Sequence, residues 1–123
     1  MDNSLTMAQG LSSNVIQTVH FDFDTGILWI GTDKGLNYSH MREGGWTHIK
    51  KRDIGGSNLK FHQIGSTKNN LWLRSSNQYI KLDHVSGILI SIMSFPDEEN
   101  INWSVSVSNG NVIIPEPFDS YFM

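Results

Sequence analysis

A hairpin followed by the same short apolar strand recurs along this chain at a nearly constant interval. Leu28-Trp29, Leu71-Trp72 and Val112-Ile113 stand 43 and 41 residues apart, each just after a turn cluster: Asp24-Thr25-Gly26, Asn69-Asn70 and Ser108-Asn109-Gly110. The preceding strands keep step, with Val15, Leu59 and Ile101 lying 13, 12 and 11 residues before Leu28, Leu71 and Val112. A fixed period constrains the fold more than any single motif, because each repeat is one supersecondary unit that buries its apolar face only against its neighbours.

The unit is built of strands. Apolar residues come in bursts rich in Val, Ile, Trp and Tyr, separated by Gly, Asn, Asp and Ser, which is strand and turn chemistry. No window carries a sustained helical stripe with caps. The expected strands are 15–21, 27–31, 36–39, 46–50, 59–64, 71–74, 79–82, 88–93, 103–107, 112–114 and 121–123. Further turns at Arg42-Glu43-Gly44-Gly45 and His84-Val85-Ser86-Gly87 complete a pattern of four hairpin-linked strands per unit. Four antiparallel strands every ~42 residues is the unit of a β-propeller blade. A β-sandwich competes, but even strand spacing alone does not bring back the same Leu-Trp pair after the same turn. The expected fold is therefore all-β, a partial β-propeller of about three four-stranded antiparallel blades. Its expected divisions are a possible closing outer strand at 1–10, blades at 11–54 and 55–97, and an incomplete blade at 98–123.

The first unit carries the fullest motif. Gly10-Leu11-Ser12-Ser13-Asn14, then Ile16, Val19 and Asp22, then Gly26-Ile27-Leu28-Trp29-Ile30-Gly31-Thr32 and Gly35-Leu36, resembles the repeat of two-component regulator propellers, with one extra residue between Asp22 and Gly26. The second unit keeps Asn70-Leu71-Trp72-Leu73 but has Arg74-Ser75 where Gly-Thr is expected, and the third keeps only the hairpin. The resemblance implies a sensory or scaffolding propeller, commonly extracytoplasmic, that binds ligands or partners without doing chemistry. Asp24-x-Gly26-x-x-Trp29 also resembles the Asp box of sialidase propellers, a turn motif.

Turn and packing requirements account for the motif residues. Gly26 and Gly110 supply positive φ for tight hairpins, and Asp24 and Ser108 are placed to bond the turn backbone. Gly31 and Gly35 let strands crowd near a narrow axis. Trp29 and Trp72 are expected to pack between blades.

Composition excludes several function classes. The 123 residues contain 38% hydrophobic side chains, with Ser, Gly and Asn prominent, and 12 acidic against 9 basic residues give a formal charge of −3. The mild acidic balance and three arginines do not make the clustered basic surface that nucleic acid requires. Lys50-Lys51-Arg52 is the sole basic run and is expected to be a solvated strand end. No apolar run approaches the ~20 residues of a transmembrane helix, and no secretory signal is visible at Met1-Asp2-Asn3-Ser4. The absence of cysteine removes disulfides, thiolate ligands and thiol nucleophiles.

Candidates for chemistry are sparse. His20, His40, His48, His62 and His84 lack zinc-ligand spacing. Arg42, Arg52 and Arg74 fall at different places in the units, so they are not expected to converge on one carboxylate. Glu98-Glu99 is expected to be a solvated loop rather than an acid/base pair. Neither cofactor nor metal is expected, and no catalytic residue is nominated.

Alternate connections in an up-and-down blade fall at opposite ends, so the loops sort into two faces. One is expected to carry Asn14, Asp33, Lys34, Asn58, Asn77, Glu98 and Glu99, with Arg74 at the end of an adjoining strand, as candidate binding residues. The other carries the hairpins at Asp24, Arg42, Asn69, His84 and Asn109. Since a propeller needs four to eight blades, three must be completed by a second copy, another subunit or further chain. The expected function is a non-enzymatic binding or scaffold module with a protein partner or self-association closing the ring. A phage or virion structural component completed by neighbouring subunits is the alternative, and a glycan-active propeller enzyme stands behind both.

Overall fold

The computed structural model describes residues 15–40, 44–56, 58–76 and 78–104. The fold is all-β, with two antiparallel sheets and no α-helix among these residues. The first sheet is the meander β1 (Ile16–Asp22), β2 (Ile27–Thr32), β3 (Gly35–His40) and β4 (Thr47–Lys50), hydrogen-bonded in chain order. One turn of 3-10 helix at Lys51–Asp53 leads out of it. The second sheet contains β5 (Gln63–Ser66), β6 (Asn70–Arg74), β7 (Tyr79–Asp83) and β8 (Leu89–Met93), again a meander, plus β9 (Asn102–Trp103) added to the free edge of β5. Neither sheet closes on itself.

The hairpins at one end share a construction. Gly26 and Gly87, with φ of 75° and 72°, donate their N–H groups to the carbonyls of Asp22 and Asp83, four residues earlier. Gly44 does the same to His40. A left-handed residue at the end of each loop turns the chain back at little steric cost. The aspartates order their own loops: Asp22 Oδ1 accepts the Asp24 N–H at 3.0 Å, and Asp83 Oδ2 accepts the Val85 and Ser86 N–H groups. The side chains bonding the first turn are thus Asp22, at the strand end, and Thr25, whose Oγ1 accepts the Ile27 N–H at 3.3 Å, rather than Asp24. Matched residues reveal a small difference between the sheets: Phe21 pairs with Leu28, but Ser66 pairs with Leu71, so the first hairpin is two residues longer.

Alternation places one face of each sheet against the other. Ile27, Trp29 and Leu36 from the first sheet meet Ile64, Leu71, Leu73, Ile80 and Leu82 from the second, with Ile54, Leu59 and Phe61 of the connecting segment filling the same core. The central strands are buried on both sides: Leu28 and Ile30 in β2, and Trp72 in β6, are 0% exposed although they point away from this core. Trp29 stacks on Tyr38 with ring centroids 4.7 Å apart, on the face turned to the second sheet. Trp72 instead lies on the far face, covered by Lys81 and by the Glu98 carboxylate.

The strands β1 and β5 lie side by side and run in the same direction. Gln17 Oε1 accepts the Phe61 N–H, and three residues further on His20 Nε2 is 2.7 Å from Ser66 Oγ. Gly31 makes room for this packing: a Cβ there would come within 2.7 Å of Phe61 Cβ. Gly35, with φ of 154°, sits against the Ile49 carbonyl oxygen.

The strand expected over 59–64 enters the ladder only at Gln63, because Leu59 and Phe61 turn into the core instead. The strand expected from Trp103 begins at Asn102 and pairs antiparallel with β5, Gly65 opposite Trp103 and Ser66 opposite Asn102, rather than opening a sheet of its own. Residues 1–10, the turn at Gly110 and the strands expected over 112–114 and 121–123 lie outside the described residues.

Candidate functional site

Successive turns fall at opposite ends of the two sheets. The β2–β3 turn at Asp33-Lys34, the β6–β7 turn at 75–78 and the segment from Lys51 to His62 share one end, called here the loop end. The β1–β2, β5–β6 and β7–β8 turns share the other, the hairpin end.

At the loop end a cleft of about 450 Å³ opens between the β4–β5 connection and the β6–β7 turn. Its walls are the glycine backbone of Gly55 and Gly56, the side chains of Asn58, Ser75, Ser76 and Gln78, and the buried edge of Leu59. The turn is closed by Ser75 N–H donating to the Gln78 carbonyl, and Ser76 Oγ lies 3.3 Å from His62 Nε2. Hydroxyls and amides predominate, so the lining can donate and accept hydrogen bonds without imposing a net charge.

Of the residues nominated from sequence, Asn58 lines this cleft. Asp33 and Lys34 lie at the same end on the first sheet. There Thr32 Oγ1 accepts the N–H groups of Lys34 and Gly35. Lys51 links the two regions. Its Nζ donates to the Leu59 carbonyl and lies 5.6 Å from the Phe61 ring centroid. Burial pulls the Lys51 ammonium below the usual lysine range, Asp33 opposes that, and Lys60 and Lys34 add to it. Arg74 is also at this end, its Nη1 donating to Gln63 Oε1 at 3.0 Å. Asn14, Asn77 and Arg42 lie outside the described residues.

Glu98 is placed elsewhere. Its carboxylate sits on the far face of the second sheet toward the hairpin end, accepting from Thr67 Oγ1 at 2.8 Å, Asn70 Nδ2 at 2.7 Å and Trp72 Nε1 at 3.0 Å. Lys81 Nζ approaches it at 3.4 Å and Asp97 at 3.2 Å. Burial works against the charged form of Glu98, but these three hydrogen bonds and the Lys81 charge outweigh it and hold the carboxyl below its usual range. The residue pins the 94–101 segment across the sheet, and neighbouring Glu99 is exposed.

The hairpin end holds a second cleft of about 230 Å³, bordered by Asp22, Phe23, Asp24, Ser66, Thr67, Lys68, Asn100 and Asn102. Phe23 is 76% exposed at its rim and meets Phe21 edge to face at 4.6 Å. Asn100 adopts φ of 59°, the one non-glycine residue with positive φ among the described residues. Behind the cleft, His20 is 6% exposed and burial lowers its pKa to about 4, against the raising influence of Asp22. His84 Nδ1 faces Asp22 Oδ2 at 3.4 Å. Nothing in the local sequence marked His20 and Ser66 as partners, since 46 residues separate them.

Among the described residues no group of three His, Cys, Asp or Glu is placed to hold a metal ion, and no helix is long and apolar enough to cross a membrane. Comparison of the chain with protein-family models, with curated proteins and with solved structures finds no match.

Proposed function

We propose that this chain is a non-enzymatic β-propeller module of the sensory or scaffold type, contributing blades to a ring and binding a protein or ligand at its loop end. The observation that carries this proposal is the relation of the two meanders. Each has four antiparallel strands in chain order, they stack face to face, and their first strands β1 and β5 lie adjacent and parallel. Neighbouring blades of a propeller are arranged in this way, inner strand beside inner strand. Burial of β2 and of the β6 residues Leu71 to Leu73 on both faces supports it further, since a blade is covered by a neighbour on each side. Loops carried on a rigid scaffold are the usual place for recognition, and the loop-end cleft offers the neutral polar lining described above.

A structural assembly protein, such as a virion component completed by neighbouring subunits, is the second proposal. The outer edge of the second sheet favours it. From Ile88 to Phe95 the chain carries no charge, and Ile88, Ile90, Ile92 and Phe95 are exposed. Such an edge is a ready template for another strand. Light scattering during size-exclusion chromatography in 0.3 M NaCl tests both. A dimer of the 13.9 kDa chain supports ring closure by a second copy, a larger defined complex supports subunit assembly, and a stable monomer at all concentrations contradicts self-association of either kind.

A further inference from the structure

Among the described residues the two ends of the sheets carry opposite charge. At the loop end the described residues place Lys34, Lys50, Lys51, Arg52, Lys60 and Arg74 against Asp33 and Asp53. At the hairpin end they place Asp22, Asp24, Asp83, Glu98 and Glu99 against Lys68, with Lys81 paired to Glu98 and Asp97 on the flank. Register enforces the separation: Gly35 pairs with Lys50, and Gln63 with Arg74, at one end, while Asp22 pairs with Ile27 and Asn70 with Asp83 at the other. A net charge of −3 conceals this dipole.

We infer that copies of this chain associate head to tail, the basic Lys50-Lys51-Arg52 corner of one entering the acidic hairpin cleft of the next. The cleft suits a cationic side chain. Phe23 presents an exposed ring at its rim, and Asp24 stands beside it with its side chain in solvent. A guanidinium stacked on the phenyl face and bonded to an adjacent carboxylate combines cation–π attraction with a charge-assisted hydrogen bond. Asp22 at the back of the cleft is 1% exposed; its Oδ2 accepts no hydrogen bond from the described residues and faces His84 Nδ1 at 3.4 Å. It adds negative potential, and its other oxygen fixes the loop that displays Phe23 and Asp24. Arg52 is exposed, one residue past the Lys51 side chain that anchors its turn to Leu59. Because the two surfaces differ, the contact is heterologous and can repeat without closing. It uses the ends of the sheets, so it does not depend on whether their edges are completed into a ring.

Sedimentation velocity at 20 mM and 500 mM NaCl tests the inference. Wild-type chain is expected to show a weight-average mass that rises with protein concentration at 20 mM and loses that rise at 500 mM, as exposed charge pairs are screened. Asp24→Arg and Arg52→Glu are each expected to weaken association at least about tenfold at low salt, and an equimolar mixture of the two is expected to recover it as a heterodimer. Both positions are exposed, and circular dichroism checks the fold; Asp24→Asn and Arg52→Gln replace either variant that fails the check. A concentration dependence equal at both salt levels overturns the inference, as does wild-type association in either folded variant or a mixture that shows no recovery.

Discussion

The imidazole of His20 on β1 and the hydroxyl of Ser66 on β5 meet at 2.7 Å in the buried seam between the two sheets. The contact tethers the first strand of one meander to the first strand of the other, close to the end where the hairpin cleft opens. A hydrogen bond to a buried neutral ring holds only while the ring stays neutral or its partner can accept. Since the Ser66 hydroxyl can also accept from a protonated ring, the sensitivity to acid comes from burial, which disfavours the charged imidazolium.

The sign of that sensitivity follows from the pKa. Burial lowers His20 to about 4 in the folded chain, whereas an unfolded histidine titrates near ~6.5. Between these values the unfolded state binds the extra proton, so stability is fully present above about pH 6.5 and declines as pH falls toward about 4. The interval corresponds to roughly 2 to 4 kcal/mol. Urea denaturation at a series of pH values is expected to show this decline, and His20→Gln is expected to flatten it. An unchanged slope in the variant would place the titrating group elsewhere.

Glu98 is expected to behave as a structural carboxylate. It accepts three hydrogen bonds from side chains 26, 28 and 31 residues earlier. Removing it leaves the half-buried Asn70 amide and the buried Trp72 indole N–H without their acceptor. Glu98→Ala is expected to destabilise the fold by about 2–3 kcal/mol, and Glu98→Gln by less, since the amide keeps one accepting oxygen. Urea titration followed by tryptophan fluorescence measures both. Because the Glu98 carboxyl is held below its usual range, its contribution is present above about pH 4.5 and is lost as pH falls through the lowered value.

Glycines 31 and 65 are expected to resist any side chain. At Gly31 a Cβ would meet Phe61 Cβ and Cγ at 2.7 and 2.8 Å, and at Gly65 it would meet Ile101 Cγ2 at 2.6 Å and Trp103 Cε3 at 2.8 Å. Overpacking of this kind costs about 1–3 kcal/mol. Gly31→Ala and Gly65→Ala should each lower the thermal midpoint, while Gly56→Ala, with open space around it but φ of 127°, tests backbone strain without a clash.

Much of the local architecture was legible in the residues. Seven of the nine strands lie within a residue or two of the apolar bursts, because alternation and glycine-bearing turns are local signals; β5 starts late, and β9 shares only Trp103 with the strand expected over 103–107, most of which lies outside the described residues. Glycines 26 and 31 were marked for a hairpin and for close packing, and they serve those purposes against Asp22 and Phe61. Partner choice was not legible. β9 pairs with β5, and Leu59 and Phe61 leave the ladder for the core, because tertiary packing decides which edge and which face a short apolar stretch takes. Glu98 read as a solvated loop for the same reason: its donors at 67, 70 and 72 reach it only after the 94–101 segment has folded back. Of the nominated loop residues, Asn58 reached a cleft at the loop end and Asp33 and Lys34 share that end, since the alternation of turns is a property of any meander.

The packing of the two meanders through their first strands underlies the functional proposal, and a disulfide trap tests it most directly. Thr18 Oγ1 on β1 and Ser104 Oγ, the residue after β9, lie 2.9 Å apart, and Ser104 is bonded through both N–H and hydroxyl to Ile64 of β5. The natural chain has no cysteine, so Thr18→Cys with Ser104→Cys introduces a single possible pair. Mild oxidation of the folded double variant is expected to form an intramolecular disulfide nearly completely, with each single variant remaining a free thiol and a Thr18→Cys/Ser91→Cys control failing to cross-link. A double variant that stays reduced while folded would contradict the placement of β1, β5 and β9 along one seam.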